Sequence, residues 1–109
     1  MTIVEHEPQV EVSERERQAR VLEAAALELD VRGWSRGAME RDDGTVCLVG
    51  AMHHALSTRL SESYRMAKWL LTGDRFSTIP IRFNDTLATG AGDVKFVLRW
   101  RAAEVRDGR

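Results

Sequence analysis

Apolar residues near the N-terminal end of the chain recur at steps of three and four, which predicts an amphipathic helix. The stripe consists of Ala19, Leu22, Ala25, Ala26 and Leu29. Ser13 and Glu16 have the spacing of a capping box, in which a serine oxygen and a glutamate carboxylate satisfy backbone donors at a helix start. Gly33 can adopt the left-handed conformation that ends many helices. We therefore expect a first helix over residues 13–32.

A second helical pattern covers about residues 91–106, and it has two adjoining apolar faces. One face contains Val94, Val97, Leu98, Ala102 and Val105, and the other contains Phe96, Trp100 and Ala103. A helix that is apolar nearly all round is usually buried at the centre of a domain. The alternative is that Phe96 and Trp100 lie at the surface as a binding patch, because aromatic residues are enriched at interfaces. A homodimer through this helix would fit that alternative.

Between these two helices the pattern is less regular. Asp43-Gly44 stands between two short apolar stretches within residues 38–49, and an Asp-Gly pair in this setting predicts a small β-hairpin. We expect a short second helix over residues 50–56, opened by a Gly-Ala pair, and a third helix over residues 61–73.

The remaining segments lack a helical period. Residues 1–12 are expected to form a flexible acidic tail, and residues 74–92 an irregular loop. Within that loop Asn84 and Asp85 are expected to bond to nearby backbone and hold a turn. The predicted fold is mainly α, with about four helices and a small β-hairpin between the first and second helix, in a single helical domain over residues 13–106.

The composition agrees with a small globular domain. The chain has 109 residues, 43% of them hydrophobic, and a formal net charge of -1. These values exclude a low-hydrophobicity disordered chain, a membrane protein and a uniformly basic nucleic-acid binder. A single cysteine, Cys47, allows no intrachain disulfide, and no signal peptide pattern is present, so we expect a cytoplasmic protein.

The charge is unevenly distributed along the chain. Residues 1–30 contain eight acidic and three basic side chains, a net charge of -5, whereas residues 31–109 contain nine acidic and thirteen basic side chains, a net charge of +4. We expect an acidic first helix to pack beside a basic last helix. The alternative is that the acidic part covers a basic binding face.

The residues that could carry chemistry do not form a recognisable site. Cys47, His53, His54 and the distant His6 are the candidate ligands for a transition metal, but adjacent histidines on a helix point about 100° apart. A Cys-His nucleophile pair is disfavoured because Cys47 lies in an apolar run, where a free cysteine is usually a small buried hydrophobe. Phosphate-loop, dinucleotide and nucleophile-elbow motifs are missing. We therefore expect no enzyme activity, no metal site and no cofactor.

A set of short motifs resembles a family of small uncharacterised proteins of actinobacteria and their phages. The motifs are Gly33-Trp34-Ser35-Arg36-Gly37-Ala38, Asp43-Gly44, Val46-Cys47, Gly50-Ala51 and Phe83-Asn84-Asp85. Ser35 stands where that family often has Cys, and Phe83 where it often has Trp. The resemblance implies an architecture and an actinobacterial or phage origin. The residues taken as structural are Gly33, Trp34, Gly37, Ala38, Gly44, Cys47, Gly50, Ala51, Asn84 and Asp85.

These observations lead to two functional hypotheses. The first is a non-enzymatic protein-interaction or regulatory module of phage origin that binds and modulates a host protein through Phe96, Arg99 and Trp100. The alternative is a small nucleic-acid-binding protein that uses the basic last helix, because basic side chains that neutralise phosphates supply most non-specific affinity. Three acids offset that basic character, namely Asp93, Glu104 and Asp107. Membrane binding is not expected.

Overall fold

The computed structural model describes residues 13–56, 65 and 82–108. These residues contain three α-helices and one π-helical turn. They are α1 (Glu14–Arg32), α2 (Leu48–Leu56), the π-helical turn (Phe83–Leu87) and α3 (Ala91–Arg106). The mainly α class is thereby confirmed. The predicted tail over 1–12, the predicted helix over 61–73 apart from residue 65, which is helical, and the loop over 74–81 lie outside the described residues.

Helix α1 begins and ends where the sequence signals predict. The Ser13 Oγ accepts a hydrogen bond from the Glu16 N–H at 3.1 Å. At the other end the Gly33 N–H donates to the Leu29 carbonyl at 2.9 Å, and Gly33 has a φ of 87°. The predicted apolar stripe is buried along its whole length. The glutamate of the capping box does not bond back to the helix start, because its carboxylate binds Arg20 and Arg106 instead.

Helix α3 packs against α1, and α2 also packs against α1. Within α3 the side chains of Val94, Leu98, Ala102 and Val105 are buried, as the first apolar face predicts, and Val97 is half-buried against them. The second apolar face is not buried as a whole, because Phe96 is exposed. The core of the described residues therefore lies between α1 and the inner sides of α2 and α3.

The predicted β-hairpin is wrong in its strands but right in its turn. Gly44 has a φ of 90°, and the Arg41 N–H donates to the Thr45 carbonyl at 2.9 Å across the turn. The flanking residues form only isolated bridges, in which Val46 pairs with both Trp34 and Glu40. Among the described residues no β-strand is present.

The hairpin fails because its second apolar stretch belongs to a helix. Leu48 and Val49 form the first turn of α2, two residues before the predicted start at Gly50. A short apolar run fits a buried strand and a buried helix equally well, and periodicity alone cannot separate them. Here the first five residues of α2 are all buried.

None of the helices in the described part of the chain is both long and apolar enough to span a bilayer.

The expected pairing of an acidic first helix with a basic last helix is confirmed. Arg106 of α3 donates to Glu16 at 2.8 Å and to Glu23 at 2.7 Å, both on α1. Asp30, near the other end of α1, accepts from Lys95 at 2.6 Å. Because the start of α1 meets the end of α3 and the reverse, the two helices are antiparallel.

Candidate functional site

The motif residues of the sequence converge on Asn84, which is fully buried in the π-helical turn. The Asn84 Oδ1 accepts from the Trp34 indole Nε1–H at 2.6 Å and from the Leu48 N–H at 3.0 Å. Its Nδ2 donates to the Ser35 carbonyl at 3.1 Å and to the Asp85 Oδ1 at 2.9 Å. We call this set of residues the Asn84 hub.

The Asn84 hub uses the full hydrogen-bonding capacity of one amide side chain. An asparagine offers two donors and two acceptor positions, and all four are occupied here. A buried polar network of this kind stabilises one arrangement of the surrounding chain only when every member is satisfied. The hub therefore fixes the loop after α1, the start of α2 and the π-helical turn relative to one another.

Asp85 and Arg36 extend the hub towards the surface. The Asp85 Oδ1 also accepts from the Gly37 N–H at 3.0 Å, and the hydrogen bonds from Asn84 and Gly37 lower the pKa of the Asp85 carboxyl. The Arg36 guanidinium lies 4.7 Å from the centre of the Trp34 ring and donates to the Ala88 carbonyl at 2.6 Å. Trp34 is thus held through both its N–H group and its ring face.

A different surface lies on the side of α1 and α3 that is turned away from the core. Its large apolar side chains are unusually exposed, with Leu27 at 60%, Val31 at 82% and Phe96 at 67% of their full accessibility. At 100° per residue, Leu27 and Val31 lie about 140° and 180° around α1 from the buried Leu22. Phe96 lies about 160° around α3 from the buried Leu98. We call this surface the outer face; its residues are Ala24, Leu27, Val31, Phe96, Arg99, Trp100 and Ala103.

An ion pair brings the two halves of the outer face together. Asp30 accepts from Lys95 at 2.6 Å and lies 3.5 Å from the Arg99 guanidinium. Hydrogen bonding to Lys95 lowers the pKa of the Asp30 carboxyl. We call these ion pairs of Asp30 with Lys95 and Arg99 the seam. Val31, next to Asp30 in α1, lies on one side of it, and Phe96, next to Lys95 in α3, lies on the other. Arg99 is about half exposed and Trp100 is half-buried, so the three predicted binding residues lie in or beside one surface.

The family model of a family of unknown function (DUF6197) matches residues 13–104, which is most of the chain. The chain belongs to the DUF6197 family. Searches of curated proteins and of solved structures found no match. The matched range includes every residue of the Asn84 hub and every residue of the outer face, so both lie within the part of the chain that matches the DUF6197 model.

Cys47 of this DUF6197 protein is a buried packing residue. Its side chain is 5% exposed, and its Sγ accepts from the Gly50 N–H at 3.5 Å. Burial raises the pKa of the Cys47 thiol, which disfavours the thiolate that a nucleophile or metal ligand requires. Nearby, the Ser35 Oγ is a buried oxygen with no hydrogen-bond partner.

The two adjacent histidines lie in the last turn of α2, and both are half-buried. His54 Nε2 lies 2.8 Å from the Glu40 Oε1, and the His53 and His54 ring centres are 5.9 Å apart. That hydrogen bond lowers the pKa of the Glu40 carboxyl. Within the described residues no group of three metal-ligating side chains is present.

The other motif residues have mainly structural positions. Gly33, Gly37 and Gly44 have positive φ, Ala51 is buried in α2, and Ala38 is exposed. A Cβ atom on Gly50 would lie 2.1 Å from the Met39 carbonyl oxygen, because the loop crosses α2 at this point.

Two residues of the outer face, Leu27 and Val31, were not predicted from the sequence. Their spacing of four residues on the side of α1 opposite the apolar stripe is the signal that could have found them.

Proposed function

We propose that this protein is a non-enzymatic protein-interaction module that binds its partner through the outer face. The observation that carries the proposal is the exposure of Phe96, with Leu27 and Val31 exposed on the same side of the α1–α3 pair. Exposure of large apolar side chains to water is unfavourable, and burial of them against a partner lowers the free energy. Aromatic residues and arginine are both enriched at interfaces, and Phe96 and Arg99 are three residues apart on α3.

The positions of the motif residues support a binding role over a catalytic one. Trp34, Asn84 and Asp85 are engaged with one another and with backbone groups in the Asn84 hub. The raised pKa of the Cys47 thiol argues against its use as a nucleophile. In this proposal the hub holds the fold, and the outer face makes the contact.

The choice of partner rests on the resemblance described above. The short motifs are similar to those of proteins from actinobacteria and their phages, so we propose a host protein as the partner and modulation of that protein as the outcome. An apolar surface crossed by an ion-paired seam would fit an amphipathic helix or a second apolar face of similar charge pattern.

Affinity capture with matched variants tests the proposal. The full chain, Phe96→Ser and Leu87→Ser would each be immobilised and incubated with an actinobacterial lysate. Leu87 is 56% exposed but lies in the π-helical turn and not on α1 or α3, so Leu87→Ser removes an exposed apolar side chain that is not part of the outer face. We expect a protein that is retained by the full chain and by Leu87→Ser but not by Phe96→Ser. Equal retention by all three would contradict the proposal.

Nucleic-acid binding by α3 has weaker support from the geometry. Lys95, Arg99 and Arg106 each lie within ion-pair distance of an acidic side chain of α1. Each of these pairs reduces the positive charge that could replace counterions on a phosphate backbone. A salt titration of duplex DNA binding tests this alternative, and we expect no retention even at low salt.

A further inference from the structure

We infer that the partner of the outer face is a second copy of this chain, so that two α1–α3 pairs pack face to face as four helices. This inference rests on the proposal that the outer face binds a partner, and it puts a second copy in the place of a host protein. It follows from the order of apolar and charged side chains across that surface.

The outer face carries one apolar row on each helix. Ala24, Leu27 and Val31 follow one another on α1 at steps of three and four, and Phe96, Trp100 and Ala103 do the same on α3. Each row thus has the spacing that packs against a neighbouring helix. Ala24 and Ala103 are small, which allows helix backbones to approach closely near that end of the face.

Between the apolar rows lie two charged rows of opposite sign. Glu16, Glu23 and Asp30 form the acidic row on α1, and Lys95, Arg99 and Arg106 form the basic row on α3. The rows contain three charges each, so the surface carries no net charge from them. A surface with equal and opposite rows side by side is complementary to itself when the two rows exchange places.

A two-fold axis parallel to the helices makes that exchange. Rotation about this axis moves the acidic row of one copy opposite the basic row of the other and leaves positions along the helices unchanged. Asp30 and Arg99 lie 3.5 Å apart within one copy, and they therefore also come opposite each other across the interface. An axis perpendicular to the helices would instead place acids opposite acids, which is unfavourable.

The same axis gives a favourable arrangement of helices. Each α1 then lies opposite the α3 of the other copy, and these helices run antiparallel, as α1 and α3 already do within one chain. All neighbouring helices in the assembly are antiparallel, which is the usual arrangement in four-helix bundles. The exposed apolar side chains Leu27, Val31 and Phe96 become the centre of the new interface.

Sedimentation equilibrium of the full chain tests whether a second copy binds. We expect the wild type to be a dimer and Phe96→Ser to raise the Kd of that dimer about tenfold or more, since central aromatic residues carry much of an interface's binding energy. Leu87→Ser is the matched control and should leave the Kd unchanged. A monomeric wild type, or a dimer that Phe96→Ser does not weaken, would overturn the inference.

A charge-reversal pair tests the orientation. In the Arg99→Glu variant an acid faces Asp30 of the other copy, and in the Asp30→Lys variant a base faces Arg99, so each variant alone should dimerise poorly. An equal mixture of the two restores one attractive pair on each side of the axis, and we expect a heterodimer. Circular dichroism of each variant establishes that it is folded. Failure of the mixture to associate, with both variants folded, would overturn the inference.

The two proposals fail in different ways. A monomeric wild type refutes the second copy, yet a lysate protein that is captured through Phe96 would still support the interaction module. A dimer that depends on Phe96 supports binding through the outer face and refutes a host protein as the partner that covers it.

Discussion

At the scale of single residues, Gly50 occupies a position where helix propensity and packing oppose each other. Alanine is normally better than glycine inside a helix by roughly 0.5–1 kcal/mol. In α2, however, an added Cβ would lie 2.1 Å from the Met39 carbonyl oxygen, and that backbone atom cannot move aside alone. We expect Gly50→Ala to lower the free energy of unfolding by about 3 kcal/mol, measured by urea denaturation.

Gly92 provides the control for this substitution. It lies in α3, and a Cβ there would meet no atom within 4 Å. Gly92→Ala should therefore follow propensity alone and stabilise the protein slightly. If both substitutions stabilise, the close approach of the loop to α2 is wrong.

Two serines should respond to the same substitution in opposite ways. Ser13 accepts a hydrogen bond from the Glu16 N–H, and loss of such a helix cap costs about 1 kcal/mol. The Ser35 Oγ is buried without a hydrogen-bond partner, and removal of an unsatisfied hydroxyl recovers about 1 kcal/mol of desolvation. We expect Ser13→Ala to lower the urea midpoint and Ser35→Ala to raise it. A fall of equal size in both variants would contradict this assignment of roles.

The sequence predicts which residues of the Asn84 hub matter but not what they contact. Asn84 and Asp85 were expected to bond to nearby backbone, as these residue types commonly do in turns. In the structure Asn84 binds Trp34, Ser35 and Leu48, which lie 36 to 50 residues away in the chain. A local pattern contains no information on such distant partners, because they depend on how the helices pack.

At the scale of secondary-structure elements, Arg106 links α1 and α3 in a pH-dependent way. Its guanidinium hydrogen-bonds to Glu16 and Glu23, lowering the pKa of the Glu16 carboxyl from its ordinary 4.5 to about 2 and that of Glu23 in the same direction. A carboxyl whose pKa is lower in the folded state stabilises the fold above its unfolded pKa. That contribution is lost as the pH falls from 4.5 through about 2.

We expect Arg106→Gln to weaken the dependence of the urea midpoint on pH in the acid range. The variant should be less stable than the wild type at neutral pH and should lose less stability between pH 4.5 and 2. Urea midpoints across this range measure the effect. Arg17→Gln is the control, because Arg17 lies 4.0 Å from Glu14 and both side chains are mostly exposed. Parallel pH profiles for wild type and Arg106→Gln would show that the ion pairs of Arg106 with Glu16 and Glu23 do not contribute to stability.

Helices were predictable where their signals are local. Ser13 and Gly33 mark the ends of α1 within one turn, and the apolar spacing of α3 extends over four turns. The hairpin was not predictable from its flanks, because Leu48 and Val49 suit a strand or a buried helix equally. In the structure these residues form the start of α2, which packs against α1.

At the scale of the whole molecule, association would make thermal stability depend on concentration. If two copies share the outer face, only the folded chain dimerises, and mass action raises the Tm as protein concentration increases. We expect this rise for the wild type and for Leu87→Ser. Phe96→Ser should melt at one temperature across the same concentrations in differential scanning calorimetry. A concentration-independent Tm for the wild type would contradict the dimer.

The exposure of Phe96 could not be predicted from the sequence. The sequence pattern of α3 favours a helix buried nearly all round, with the surface patch as its alternative. A helix in a small domain can bury its second face only if another element reaches it, and Phe96 is 67% exposed. Sequence alone thus identified the candidate residue and left its environment open.

The Asn84 hub affects how local opening of the chain exposes protons to hydrogen exchange. The Leu48 N–H and the Trp34 indole N–H share a single acceptor, the Asn84 Oδ1, although they belong to different segments of the chain. Movement of either segment breaks only its own bond, whereas detachment of the π-helical turn removes the acceptor from both protons at once. Conditions that loosen the π-helical turn should therefore lower the hydrogen-exchange protection of both groups together.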